Sequence, residues 1–313
     1  MAFTNYPNGL TSFGIPVLGG GNVSIPNGNG QVLFVDGSGV FSTTGTPTYT
    51  TIQGAINSVV SGAGSTIFVF PGTYEENLTV TGTDYVSIIG AQIPGYARPD
   101  IVPTTGIALN CTTSQGLVLN HLRFASEDSD TVVNQGNGFV FTDCVFDGTS
   151  GQAATEANLR LVGNAADDSY SASEGIIQGC YFRGNTSGAG IIIQHAANPS
   201  GVGTSDNQIL DCRFVANGVD LLTATNTSGG GAGIFINYLI ARNFFMTVGA
   251  AYVYADMDQG AAGDLTANSG LICNNWFADE ALVAGQFDIA TMANVIFTGN
   301  YDAAGLVNGA GFN

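Results

Sequence analysis

A six-residue alternation of apolar and polar positions recurs down the second half of the chain. It is clearest as Phe141-Thr-Asp-Cys144-Val-Phe146, Ile177-Gln-Gly-Cys180-Tyr-Phe182 and Ile209-Leu-Asp-Cys212-Arg-Phe214. Ile240 to Phe245 and Ile272 to Phe277 repeat it with asparagine in place of cysteine. Leu119 to Phe124 is an earlier copy, and Ile296 to Tyr301 is a degenerate last one. Successive final aromatics lie 22 to 36 residues apart, the period of a solenoid whose longer coils carry a surface loop. Counting the aromatic as position 0, apolar or small residues sit at -5, -2 and 0. Strand alternation then turns -2 and 0 inward and -3 and -1 outward. Gly and Asn follow most copies (Gly148, Gly184, Asn185, Asn217, Gly218), as turns require. No helical pattern follows any copy. The pattern predicts an all-β parallel β-helix, with coils over about 66–301 and a short Gly-rich tail.

The N-terminal part reads differently. Residues 1–30 hold Pro7, Pro16 and Pro26 among glycine clusters, which exclude helix and central strand. They also hold Phe3, Tyr6, Phe13, Ile15, Val17 and Leu18, more apolar side chains than an inert linker carries. They are expected to form an extended arm that orders on another surface. The folded domain then spans 31–313. Gln31–Val35 is its first predicted strand, and a helix over Thr51–Ser61 follows. Thr50 and Gln53 form its capping box, Ile52, Ala55, Ile56, Val59 and Val60 form its apolar face, and Gly62 ends it. This helix is expected to cover the first rung. Strands at Thr66–Phe70, Leu78–Val80 and Tyr85–Ile89 come next.

TIQGAINSVV, STIFVFPGTYEENLTV and YVSIIGA, within residues 31–91, resemble the opening of the pectin lyase-like β-helix superfamily, which includes pectin esterases. The resemblance implies a right-handed parallel β-helix. The catalytic motifs of its esterases, polygalacturonases and pectate lyases have no counterparts here: Phe141–Gly148 lacks the esterase motif, His195 sits in Gln-His-Ala, and the chain has no lysine. Fold alone does not carry activity. The leader TNYPNGLTSFGIPVLGG resembles the opening of head-associated proteins of tailed bacteriophages, which implies attachment to a virion.

Charge and cysteine content narrow the classes. A net charge of -18 excludes phosphate-driven nucleic-acid binding, and no apolar run is long enough to span a bilayer as a helix. Met1-Ala-Phe-Thr-Asn lacks the basic start and apolar run of a signal peptide. The Asn-x-Ser/Thr triplets at Asn22, Asn77, Asn110, Asn185 and Asn226 read as chance. Of five cysteines, Cys144, Cys180 and Cys212 share position -2 with Leu122, Asn243 and Asn275. They are expected to be free thiols filling a buried column. A cleaving β-helix would need two carboxylates flanking a glycosidic bond. The candidates are Glu127, Asp128, Asp130, Glu156, Asp167, Asp168, Glu174 and Asp206, all in predicted solvated loops. Asp256, Asp258 and Asp264 depart from calcium-loop spacing. No catalytic, cofactor or metal site is assigned.

Position -1 is the informative outward column. It carries Tyr181, Phe244 and Trp276, with Asp211 and Arg242 at -3 on adjacent rungs. Exposed apolar stripes mark interfaces, so these five are expected to meet another subunit. The sequence therefore points to a non-enzymatic virion protein, a capsid decoration or head-spike component at the capsid surface and made in the host cytoplasm. It would hold other virion proteins, foremost the major capsid protein, through its arm and form a homo-oligomer. Resemblance to phage β-helix proteins implies a trimer. The alternative is a tailspike-like polysaccharide depolymerase or a polysaccharide-binding β-helix.

Overall fold

A computed structural model describes residues 11–12, 15–16, 31–39, 48–163, 171–195, 204–225, 237–246, 253–256, 269–278, 287–288 and 295–307. Within them the chain winds through three long parallel sheets, one strand per sheet per coil. Sheet I has eleven described strands, from Thr48–Tyr49 and Val32–Val35 at one end to Val295–Thr298 at the other. Sheet II has ten, from Thr73–Tyr74 to Gly305–Val307, and sheet III eight, from Leu78–Thr81 to Phe287–Asp288. Crossovers between parallel strands are right-handed, and the fold is a right-handed parallel β-helix. Two antiparallel pairs interrupt it: Thr11–Ser12 with Ile15–Pro16, and Asn300–Asp302 with Gly305–Val307.

The recurring six residues form two strands joined at a corner. Phe141, Ile177, Ile209, Ile240 and Ile272 stack inside sheet I. Position -3, expected to face outward from a strand, is instead the corner itself. His121, Asp143, Gly179, Asp211, Arg242 and Asn274 all have φ between 50 and 64°, the left-handed region that Gly, Asn and Asp tolerate best. Beyond the corner, -2 is buried and 0 points into the core from sheet II. Phe146, Phe182, Phe214, Phe245 and Phe277 stack there with ring centroids 4.8–5.1 Å apart. Phe124 joins Phe146 at 5.9 Å. Adjacent rungs place identical side chains at the strand spacing, which suits offset aromatic stacking.

The last copy is shifted by one residue. Tyr301 pairs with Trp276 in the outward column and is exposed, while Asn300 lies in the buried corner column and Asp302 takes the inward place. An asparagine able to extend the amide column fixes the register in place of the aromatic.

At the N-terminal end the helix is Ile52–Ile56, shorter than the predicted Thr51–Ser61. Ser58 and Val59 turn to bonds with Ala55 and Ile56, three residues back, which tightens the chain out of the α form. Val60 is therefore 50% exposed. The N-cap is Thr51, not Thr50: its hydroxyl accepts from Gly54 N at 3.2 Å. Gln53 does not close a capping box but binds Thr79 in sheet III through both amide atoms. Both oxygens of Glu76 take up the free N–H groups of Ile52 and Gln53, each at 2.9 Å. Ile52, Ala55 and Ile56 are buried, and the helix packs on the first strands of sheets I and III. The predicted strands appear as Val32–Val35, Thr66–Val69, Leu78–Thr81 and Ser87–Gly90. Tyr85 leaves its strand because it sits at a corner with φ 59°.

Candidate functional site

Five of the six arginines of this acidic chain lie on or beside the outer face of sheet II. The two outward columns run Asp100, Arg123, Val145, Tyr181, Arg213, Phe244, Trp276, Tyr301, and Ala125, Asp147, Arg183, Val215. At the N-terminal end they form a continuous ionic row. Arg123 Nη1 donates to both oxygens of Asp100 at 2.6 Å, and Arg123 Nε donates to Asp147. Asp147, 9% exposed, also accepts from Arg183 Nε and from Nη2 at 3.0 Å. Burial alone would make Arg123 easier to deprotonate. Its bonds and charge contacts with Asp147 and Asp100 outweigh that and raise its pKa. The bond to Asp147 likewise raises Arg183. The Arg183 guanidinium lies 5.3 Å from the Tyr181 ring centroid, a cation–π contact that half-covers Tyr181.

Three shallow hollows join along this face. One of about 420 Å³ is lined by Arg123, Asp147, Tyr181 and Arg183. Another, about 340 Å³, meets it at Tyr181 and reaches Arg98, Asp143 and Arg213. The last, about 470 Å³, lies between Tyr96, Arg98 and Arg123. Arg213 is exposed and, alone among the arginines of the described residues, has no carboxylate partner. Toward the C-terminal end the face turns aromatic: Phe244, Trp276 and Tyr301 are 45%, 39% and 48% exposed. Phe244 and Trp276 meet with centroids 6.0 Å apart.

The structure thus brings Tyr181, Phe244 and Trp276 onto one column, as the pattern predicts. Asp211 and Arg242 lie on the neighbouring corner, where Arg242 Nε and Nη2 each donate to Asp211 at 2.8 Å. Those bonds hold Asp211 below the usual carboxylate range. Of the arm, Phe3, Tyr6, Phe13, Val17 and Leu18 lie outside the described residues, and Ile15 is described only as backbone strand. Asp147 and Arg183, between the aromatic and the glycine that follows it, take the outward position directly after the aromatic. Continuing the strand alternation one residue past position 0 finds them.

Four of the loop carboxylates are structural ties. Asp130 holds Arg160 and Ala157 N, Asp128 accepts from Gly106 N, Glu156 from Ala153 N, and Asp206 from Asn237. Glu174 occupies a left-handed corner. Asp167, Asp168, Asp258 and Asp264 lie outside the described residues, and Asp256 and His195 are described only as backbone. His121 Nδ1 lies 2.6 Å from Asp143 Oδ2. Among the described residues, no three His, Cys, Asp or Glu side chains converge as a metal requires. No described helix is long and apolar enough to cross a membrane. All five cysteines are free thiols.

No protein-family model and no curated protein matches the sequence. Among solved structures the chain is similar to the pectin methylesterase of Aspergillus niger, at 16% identity over 90% of this chain and 87% of that one, TM-score 0.45. It is also similar to a protein of Geobacillus virus E2, at 13% identity over 87% of this chain and 61% of that one, TM-score 0.43. A third is the tailspike protein of Acinetobacter baumannii bacteriophage Fri1, a capsular polysaccharide depolymerase, at 10% identity over 87% and 61%, TM-score 0.36. Likeness at this level assigns no activity.

Proposed function

We propose that this chain is a non-enzymatic structural protein of a tailed-phage virion, a capsid decoration or head-spike component held by residues 1–30 on the major capsid protein. One observation carries the non-catalytic part. The carboxylates of the sheet II outer face and its corner with sheet I (Asp100, Asp143, Asp147 and Asp211) are each bound by arginine. A glycosidase pair needs one carboxyl kept protonated and near its partner, and arginine contacts favour the charged form. The likeness of the leader to phage head proteins supports the location. Mass spectrometry of purified particles tests the assignment, since absence of the chain from virions ends it. Deleting residues 1–30 should leave the β-helix folded and abolish decoration. Wild-type occupancy by the truncated chain would show that the arm is not the anchor.

Arg213 favours a second reading, a polysaccharide-binding face. This exposed cation sits in one column between Tyr181 and Phe244, a setting for an anionic sugar with stacking surfaces on either side. Binding to acidic capsular polysaccharides that is lost in Arg213→Ala would support it. Cleavage of them would displace the structural reading.

A further inference from the structure

The outer faces of sheets I and II differ sharply in charge. One outward column of sheet I carries Val118, Val140, Ile176, Leu239, Leu271 and Ile296, interrupted only by Gln208. These side chains are half-buried by their neighbours in the column, and Ile296 is 61% exposed. Neither outward column of sheet I holds a charged residue on any of its ten rungs from Val32 to Ile296. The chain as a whole carries 24 acidic residues. Charge returns only at the two left-handed corners that border the face. Glu174 and Asp206 stand on one side, Asp143 and the Asp211–Arg242 pair on the other.

We propose that the outer face of sheet I is the seam on which a second copy of this chain packs. An apolar centre free of charge, inside a polar rim, is the anatomy of a protein–protein interface. Size agrees. Ten rungs at about 4.8 Å and strands about 10–13 Å wide give roughly 500–600 Å² per copy. Two copies then bury about 1,000–1,200 Å², at the threshold for a specific interface. Electrostatics selects this face over that of sheet II. Two chains of -18 repel, and sheet I is where they meet without opposing carboxylates. Flat sheets pack face to face at about 10 Å. The seam thus lies one face away from the sheet II column of Tyr181, Phe244 and Trp276 that the sequence pattern marks, with the Asp211–Arg242 pair on the corner between the two.

Sedimentation equilibrium of the full chain, over protein and salt concentration, tests this. The wild type should run at a multiple of 32.0 kDa and associate more tightly as salt rises. Ile176→Glu with Leu239→Glu should give a monomer. Should that variant fail to fold, Val140→Thr with Ile176→Thr and Leu239→Thr keeps β-branched or strand-compatible side chains. It should weaken association at least about tenfold. Phe244→Glu with Trp276→Glu on sheet II should leave the mass unchanged. The proposal is overturned by a wild-type monomer at micromolar concentration, or by folded sheet I variants of unchanged mass. Dissociation by the sheet II variant alone, or by added salt, overturns it too. A wild-type monomer that associates only after deletion of residues 1–30 would give the face to the chain's own leader instead.

Discussion

Between the rung of Cys212 and that of Asn243, the buried column at position -2, just beyond the corner, changes from thiols to amides. At the same place the outer face of sheet II changes from ions to aromatics. In the lower coils Cys144, Cys180 and Cys212 direct their sulfurs toward nearby carbonyls at 3.2–3.7 Å, weak bonds that leave packing to do the filling. In the upper coils Asn243, Asn275 and Asn300 bind one another. Asn275 Oδ1 accepts from Asn243 N at 2.9 Å and Nδ2 at 3.0 Å, and Asn275 Nδ2 donates to Ile240 O at 3.0 Å. Asn300 Oδ1 repeats the arrangement for Asn275. The lower coils are clipped together from outside, by Asp100, Arg123, Asp147 and Arg183 across four rungs. The upper coils are clipped from inside. Over the rungs where this column is tied by amides, the outer face of sheet II has no ion-pair row, and Phe244, Trp276 and Tyr301 stand exposed there.

The aromatic ladder at position 0 crosses both halves unchanged, so cutting it gives the largest and most even loss. Phe182→Ala and Phe277→Ala should each cost about 3–5 kcal/mol in a chemical melt. A loss below about 1 kcal/mol at both would mean that the ladder is not the common core. The buried column at position -2 should separate the halves. Asn275→Ala strands a buried N–H and a carbonyl and should cost roughly 3 kcal/mol, against about 1 kcal/mol for Cys180→Ala. Equal costs would erase the distinction between amide and thiol. The thiols can also be read chemically. Burial pushes Cys111 up to about 12 and raises Cys144 and Cys180 well above the ordinary range. In the native chain at pH 8 only the partly exposed Cys273 should react with a thiol reagent, and all five should react after unfolding.

Acid should give the smallest effect. The folded pKa of Asp211 is depressed by Arg242. Its contribution to stability is therefore present above the unfolded carboxylate value and is lost as pH falls through the folded one. The pair is exposed, so Asp211→Asn should alter only the acid limb of a pH–stability curve, and slightly. The asparagine column has no group that titrates there. An acid limb that is the same in Asp211→Asn and the wild type would show that the pair adds nothing at the join between the two halves.

Coils, inward columns and the outward aromatics were legible because identical positions recur at every rung. The corner was not. Two buried positions two apart look like one strand whether or not a left-handed residue stands just before them, and only the run of Gly, Asp and Asn at -3 hinted at it. Tyr301 departs from the pattern because the buried amide of Asn300, not an aromatic, sets the register of that rung. The helix is shorter than its apolar spacing, which continues through Val60, because Ser58 and Val59 bond three residues back. The apolar column of sheet I stands at position -6, one residue before the recurring pattern begins, so the pattern does not contain it. Asp147 and Arg183 stand at the opposite end, one residue after it.

Strand Val32–Val35, the first of the domain, is hydrogen-bonded on both sides, to Thr48–Tyr49 and to Thr66–Val69. Leu33 and Val35 are buried beneath it. A pull delivered through the residues before it would not peel an edge. It would load two rows of hydrogen bonds along their common length, so tension on a tether at that end is shared by three strands before any coil can unwind.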